Sequence, residues 1–343
     1  MEKITTVGLD LAKSVFQVHA IDDAGVPIIR RALRRSQVLG FFSKLPPCVV
    51  GMEACASSHF WAREIRALGH DVRMMPPIYV KAYVKRGKTD AADAEAICEA
   101  VTRPTMRFVP IKTADQQGAG MILKARDLLV RQRSQAANAL RAHLSELGIV
   151  ASAGMASISK LIQLVREESD DRMPDIARRA LMAMAEQIEA LAVQVERLER
   201  QITTNVKDDE EARRLTSIPG VGPIIAATVK AAVPDPRGFR TGRDFAAWIG
   251  LTPRAHSSGG KERLGSISKR GNRQLRTLLI VGATSILKLG KRGLKLPRWV
   301  DALMLRRPFK VVAVALANKI ARTIWALLVK GGMYQTPRAM IKA

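Results

Sequence analysis

Ile4-Thr5-Thr6-Val7-Gly8-Leu9-Asp10 reads as a short apolar strand that closes on a carboxylate, and Cys48-Val49-Val50-Gly51-Met52-Glu53 repeats the device. A third acidic element, Lys88-Thr89-Asp90-Ala91-Ala92-Asp93, marks the start of a helix. Asp90 and Asp93 are three apart, so on a helix they share a face. Carboxylates at strand ends and on one helical face can converge on a single point. Like charges gathered in this way repel, and the usual remedy is a divalent cation. Asp10, Glu53, Asp90 and Asp93 are therefore the candidate metal ligands. Hard oxygen donors without His or Cys suit Mg²⁺, with Mn²⁺ as a substitute. Four carboxylates can hold two such ions about 4 Å apart, activating a nucleophile and stabilising the leaving oxygen of a phosphodiester. Each residue also has a plainer reading. A strand-end Asp is a common turn residue, Asp90 can cap the helix, and Asp93 can complement its dipole. Glu53 is harder to dismiss, because a carboxylate in an apolar segment needs a partner. Glu95 projects from another helical face.

The elements around these motifs alternate strand and helix. Ile4–Leu9 and Val15–Ala20 read as strands, and the turn Asp22-Asp23-Ala24-Gly25 returns the chain as Val26–Ala32. A helix follows near Gln37–Ser43, then the strand ending at Glu53, then a helix from Ser57 to Leu68 that Gly69 terminates. Asp71–Met75 is a strand stopped by Pro76-Pro77, and a helix over Thr89–Val101 completes the unit. A three-strand hairpin run followed by βαβα is the order of a ribonuclease-H-like sheet, although other α+β folds share it.

Beyond residue 110 the patterns are helical. Gly118–Leu147 reads as one long helix carrying Lys124, Arg126, Arg131, Arg133 and Arg141, either a phosphate-tracking face or a solvated one. Ile188, Leu191, Val195, Leu198 and Ile202 step by three and four, a heptad. It suits a coiled coil between two copies, or a hairpin with the Gly118–Leu147 helix. Asp208-Asp209-Glu210-Glu211 breaks the pattern, and Ser217-Ile218-Pro219-Gly220-Val221-Gly222-Pro223 resembles the turn of helix-hairpin-helix DNA binders. There, glycines such as Gly220 and Gly222 let backbone N–H groups approach a phosphate. Residues 236–276 concentrate positive charge, including Arg254, Arg263, Lys269, Arg270, Arg273 and Arg276, around the polar loop His256-Ser257-Ser258-Gly259-Gly260. Helical patterns resume over Gln274–Leu287 and Val311–Val329. Lys319 and Arg322 interrupt the latter, which makes it a packed helix and not a membrane span.

Composition points the same way. The 343 residues carry 56 Lys+Arg against 31 Asp+Glu, a net charge of +25, and this excess indicates a nucleic-acid partner. Aromatics are 4% of the chain, so phosphate contacts, and not stacking along a single strand, carry most of the expected affinity. Three cysteines without CxxC spacing argue against a zinc site or a disulfide framework and fit a reducing, cytoplasmic setting. The start, Met1-Glu2-Lys3-Ile4, lacks signal-peptide form.

Gly8-Leu9-Asp10-Leu11-Ala12-Lys13, Met52-Glu53-Ala54 and Lys88-Thr89-Asp90-Ala91-Ala92-Asp93-Ala94 resemble the DEDD transposases of insertion sequences. That family includes the Piv DNA invertase and the bridge-RNA-guided recombinases. Ser217–Gly222 and Phe245-Ala246-Ala247-Trp248-Ile249-Gly250-Leu251-Thr252-Pro253-Arg254 look like its second domain, and the similarity spans nearly the whole chain. The resemblance implies a fold of class α/β plus α. Residues 1–110 would be a RuvC-like catalytic domain binding Mg²⁺ through Asp10, Glu53, Asp90 and Asp93. Residues 111–207 would be a helical linker with a coiled coil, and residues 208–343 a mainly helical transposase domain. It further implies a nucleophilic serine after Thr-Pro-Arg, placed at Ser258 with Ser257 one residue away, that bonds covalently to DNA. Donor and target double-stranded DNA, a structured noncoding guide RNA, a homo-oligomer from dimer to tetramer, and a nucleoid-associated location without a membrane complete the expectation.

From the residues alone, a serine in a glycine-rich loop is most often only loop, and its hydroxyl needs activation. Arg254 and Arg263 can stabilise charge on a phosphate there. His256 can assist proton transfer, and Lys13, Lys269, Arg270 and Arg273 can contact the backbone. Two other readings compete: a RuvC-like junction nuclease using metal-activated water, and a non-catalytic nucleic-acid scaffold.

Overall fold

The computed structural model describes residues 3–335, apart from 86, 88, 169–170 and 257–262. The chain divides into two compact units, Met1–Gln117 and Gly118–Ala343.

The first unit runs β1 (Thr6–Asp10), β2 (Val15–Ile21), β3 (Pro27–Arg34), α1 (Val38–Phe42), β4 (Val49–Glu53), α2 (Ser58–Ala67), β5 (Asp71–Met75), α3 (Pro77–Val80) and α4 (Asp90–Val101). The strands form one mixed sheet in the order β3-β2-β1-β4-β5. β1 pairs antiparallel with β2 and parallel with β4, with Leu9 opposite Met52, so Asp10 and Glu53 follow at the carboxyl ends of adjacent strands. The central position of β1 follows from its apolar run, since Val7, Gly8 and Leu9 are all buried. β3 lies at the edge and is mostly exposed, and Arg30, Arg31 and Arg34 blunt it against further pairing. Val7, Leu9, Val18, Val50 and Met52 share a core with Trp61, which meets Phe16 edge-on at 5.0 Å.

Two glycines set the distance between helix α4 and the sheet. A Cβ on Gly8 would lie 2.2 Å from the Ala94 carbonyl oxygen and 2.6 Å from the Cys98 nitrogen. One on Gly51 would lie 2.8 Å from the Val101 Cβ. A glycine inside a strand marks such a close approach. Here it lets α4 lie directly on β1 and β4.

The second unit runs α5 (Ala114–Glu146, whose first turn holds the boundary between units), α6 (Ile158–Arg166), α7 (Asp175–Asp208), α8 (Glu210–Leu215), α9 (Pro223–Ala232), α10 (Gly242–Ile249), β6 (Pro253–Ala255), β7 (Leu264–Ile267), α11 (Arg273–Gly290), α12 (Arg298–Met304) and α13 (Phe309–Lys330). The heptad of α7 is covered within the chain. Leu181, Ala185 and Ile188 pack with Leu140 and Leu144 of α5 and with α6, while Ile202 and Val206 join Leu123 in a second core. Arg126 and Glu199 pair across the two helices, Nε to Oε1 at 2.8 Å. Both ends of the apolar stripe, Ile188 and Ile202, are thus buried within the chain. By length and composition α13 is the one described helix able to cross a membrane. Its Val312, Ala313, Leu316, Ala317 and Ile324 are instead buried in the core it shares with α10 and α11.

Candidate functional site

Helix α4 begins one residue earlier in function than in hydrogen bonding. Thr89 is its N-cap, with Oγ1 accepting from the Ala92 N–H at 3.2 Å. The capping role therefore belongs to Thr89, and the Asp90 carboxylate is left available in the first turn. Because Gly8 admits α4 onto β1, this turn lies over the strand end. Asp10, Asp90 and Asp93 each bring a carboxylate oxygen to within 4.8 Å of the others.

Electrostatics match this geometry. Burial first, then the charges of Asp93 and Asp90, push the Asp10 carboxyl up from 3.8 to about 6, against a hydrogen bond from the Leu11 backbone. Burial, then Asp10 and Asp93, also raises the Glu53 carboxyl. Glu53 thus feels the cluster, although its oxygens lie outside the three-residue group. Glu95 sits apart, held below the usual carboxylate range by its bond to Lys85 at 2.6 Å. Carboxylates that repel one another, half-buried at Asp10 and Asp93 and exposed at Asp90, with no Lys or Arg paired to them among the described residues, suit a divalent cation held by oxygen donors.

The candidate nucleic-acid residues fall in several places. Lys13 is exposed on the β1–β2 connection. Gly220 has φ +82°, and its backbone packs on Gly282 of α11: a Cβ on Gly282 would meet the Gly220 carbonyl oxygen at 2.1 Å. Helix packing therefore accounts for Gly220, whereas Gly222, at the N-cap of α9, has open space around it.

Pro253 and Ala255 of β6 pair with Ile267 and Leu264 of β7, short strands on either side of the polar loop that no alternation announced. Ser257 and Ser258 belong to the segment joining these strands and lie outside the described residues. Flanking it, the His256 N–H donates to the Arg263 carbonyl at 2.7 Å, and Arg254 Nη2 donates to the Ser268 carbonyl at 3.1 Å. Arg254, Arg263, Lys269, Arg270 and Arg273 are exposed and make no ion pair among the described residues.

Arg276 is different. Sequence counts it with the basic block, but it is buried, and Nη1 donates to the Ile249 carbonyl at 2.8 Å and the Arg270 carbonyl at 3.1 Å. It clamps the two ends of the hairpin segment. Gly250 and Gly271 permit this, both at positive φ; a Cβ on Gly271 would strike the Trp248 carbonyl oxygen.

Comparison with known proteins covers both units. The family model of the DEDD transposases of IS110 matches residues 7–149. The model described as Transposase IS116/IS110/IS902 family matches residues 212–295. A putative transposase of Sinorhizobium fredii, y4pF/y4sB, is 47% identical over 98% of this chain and 87% of its own length. A probable family 20 transposase of Pseudomonas aeruginosa is 48% identical over 97% of this chain and 99% of its own. The transposase for insertion sequence element IS1328 of Yersinia enterocolitica is 39% identical, again over 97% and 99%. This chain belongs to the IS110/IS116 family of insertion-sequence transposases, whose activity implies binding, cutting and rejoining of DNA.

Proposed function

We propose that the chain cuts and rejoins DNA with Mg²⁺ held by Asp10, Glu53, Asp90 and Asp93, and with Ser258 as the nucleophile. The single observation that carries the metal reading is the meeting of Asp10, Asp90 and Asp93 within 4.8 Å at a sheet end, with Asp10 pushed up to about 6. When bound, Mg²⁺ supplies positive charge that offsets this repulsion and polarises phosphate oxygens. Asp10 and Glu53 are the rigid half of the site, anchored on strands. Asp90 and Asp93 are the half that depends on how α4 docks.

In the exchange, the Ser258 hydroxyl attacks phosphorus. An Oγ–P bond forms as one P–O bond to deoxyribose breaks, and the freed sugar hydroxyl takes up a proton. Attack by another strand's hydroxyl reverses this, so the phosphoserine bond conserves the energy needed to rejoin. Exposed Arg254 and Arg263 flank the serine segment and can hold phosphate charge.

Residues 1–110 are on this reading a RuvC-like domain, supported by the β3-β2-β1-β4-β5 order and by parallel strands that end in carboxylates. Residues 111–207 serve as a helical linker. Residues 208–343 are the transposase domain with its helix-hairpin-helix-like turn. A net charge of +25 supports a partnership with a structured guide RNA as well as with donor and target DNA, inside a dimer or tetramer in the nucleoid. In that assembly, one protomer's RuvC-like domain works with another's serine.

The test uses full-length protein, guide RNA, donor and target DNA and Mg²⁺. Ser258→Ala should lose both strand exchange and the covalent protein–DNA adduct, and Asp10→Ala should lose cutting while retaining DNA binding. If Ser258→Ala still cuts, a junction nuclease using water replaces this reading. If Asp10→Ala cuts at the wild-type rate, the acidic site is not the active site.

A further inference from the structure

A basic, aromatic cavity of about 700 Å³ lies in the first unit, lined chiefly by Lys13, Ser14, Arg34, Arg35, Phe60 and Trp61. Strand topology puts it at the sheet end that carries the acidic cluster. β1 ends at Asp10, the chain returns at Val15, and Val15 pairs with Arg34 at the end of β3. β4 ends at Glu53, and Phe60 and Trp61 come in the first turn of α2 that follows. Asp10 and Lys13 are three residues apart, at most about 10 Å of chain.

The lining has two complementary halves. Lys13, Arg34 and Arg35 are exposed cations, and none forms an ion pair among the described residues. The Arg35 guanidinium is held over the Trp61 ring, 4.9 Å from its centroid, and lies 6.0 Å from that of Phe16. This cation–π seat fixes the group while leaving its N–H edges free to donate. Phe60 meets Trp61 edge-on at 5.2 Å, yet remains 41% exposed. The sequence is poor in aromatics, so an exposed phenylalanine beside three uncompensated cations is a local exception. Cations take phosphate, and an exposed ring takes a flat base. A nucleotide offers both in one ligand. A base inside a duplex is already stacked on both faces, so only an unstacked one can lie on Phe60.

We propose that this cavity holds one unstacked nucleotide of the nucleic-acid strand led to the acidic cluster, with phosphate on Lys13, Arg34 and Arg35 and the base against Phe60. The adjacency to cutting rests on the function proposed above; the nucleotide site itself does not. DNA and RNA share this chemistry, and the test separates them.

Full-length protein is titrated in EDTA, so that no cutting occurs, with fluorescent single-stranded 12-mers of DNA and RNA and with the DNA duplex. Phe60→Ala should weaken single-strand binding roughly tenfold and leave the duplex nearly unchanged, and Phe60→Tyr should restore it. Arg34→Gln should weaken all three ligands and lower the salt slope by about 1. A loss confined to the DNA 12-mer identifies a DNA strand as occupant, and one confined to the RNA 12-mer identifies the guide. Unchanged single-strand binding in both Phe60→Ala and Arg34→Gln overturns the site, whatever Asp10→Ala does to cutting. If Phe60→Ala weakens binding while Asp10→Ala still cuts, the nucleotide site stands and the reading of the acidic cluster falls instead.

Discussion

Asp10→Asn should stabilise the metal-free protein while abolishing its activity. Asn keeps the shape of Asp and can still accept the Leu11 backbone hydrogen bond, but it removes one charge from the cluster. In the folded chain the Asp10 carboxyl titrates at about 6 against an ordinary 3.8. Below pH 3.8 the folded and unfolded chains both hold the proton, and neither burial of the charge nor repulsion by Asp93 and Asp90 costs anything. As pH rises through the interval from 3.8 to about 6, the unfolded chain ionises first, so stability falls, and above it the penalty is complete. At about 1.36 kcal/mol per pH unit the full displacement is on the order of 3 kcal/mol. Asp10 is only half withdrawn from water, and screening reduces this to roughly 1–2 kcal/mol. Glu53, raised in the same direction, adds to the slope with the same sign. Hydrogen exchange of the β1 amides, compared between variant and wild type at the same pH in EDTA, reads the effect where it arises. Protection in Asp10→Asn should exceed wild type at pH 7.5 and match it near pH 4. Saturating Mg²⁺ should reverse the order, since ligand at one hundred times its Kd stabilises by about 2.7 kcal/mol and the variant binds it poorly. Lower β1 protection in the metal-free variant than in wild type at pH 7.5 would refute the account of a repelling cluster.

Other outcomes follow from the same geometry. Gly8→Ala forces a methyl against the Ala94 carbonyl oxygen at 2.2 Å, backbone that cannot swing aside, and should cost about 1–3 kcal/mol. It should also weaken Mg²⁺ binding in calorimetry, whereas Gly40→Ala, inside α1 with nothing within 4 Å, should leave Mg²⁺ affinity unchanged and stabilise slightly; normal Mg²⁺ affinity in Gly8→Ala would break the link between α4 docking and the site. Arg276→Leu leaves the Ile249 and Arg270 carbonyls without their donor and should lower stability by about 2–4 kcal/mol in thermal unfolding, an effect that a merely surface arginine would not produce. Burial lifts the Cys48 and Cys98 thiols to about 11 and about 12, so iodoacetamide at pH 8 should label exposed Cys55 alone in native protein. Rapid native labelling of all three would contradict the burial of Cys48 and Cys98.

Much of the first unit is legible because its signals are local. Apolar runs ending in Asp10 and Glu53 mark strands, and Gly69 at φ +94° closes α2 as a terminating glycine should. The β6–β7 hairpin is not legible, since Pro253–Ala255 is three residues and Leu264–Ile267 is largely exposed. The clamp made by Arg276 is not legible in sequence, because a buried arginine and a solvated one look alike until their carbonyl partners are in place. The α7 heptad predicts a seam, but periodicity does not say what covers it; Ile188 lies in one core with α5 and α6, and Ile202 in another with Leu123.

By itself, the sequence determined the strand and helix pattern of the first unit, the identity of its acidic residues and the basic character of the whole, all consequences of side-chain chemistry and short-range periodicity. The tertiary structure alone decided that three of those carboxylates meet. That depends on how closely α4 lies on β1, and the contact is set by the missing side chain of Gly8 against Ala94 and Cys98, residues more than eighty positions away in the chain.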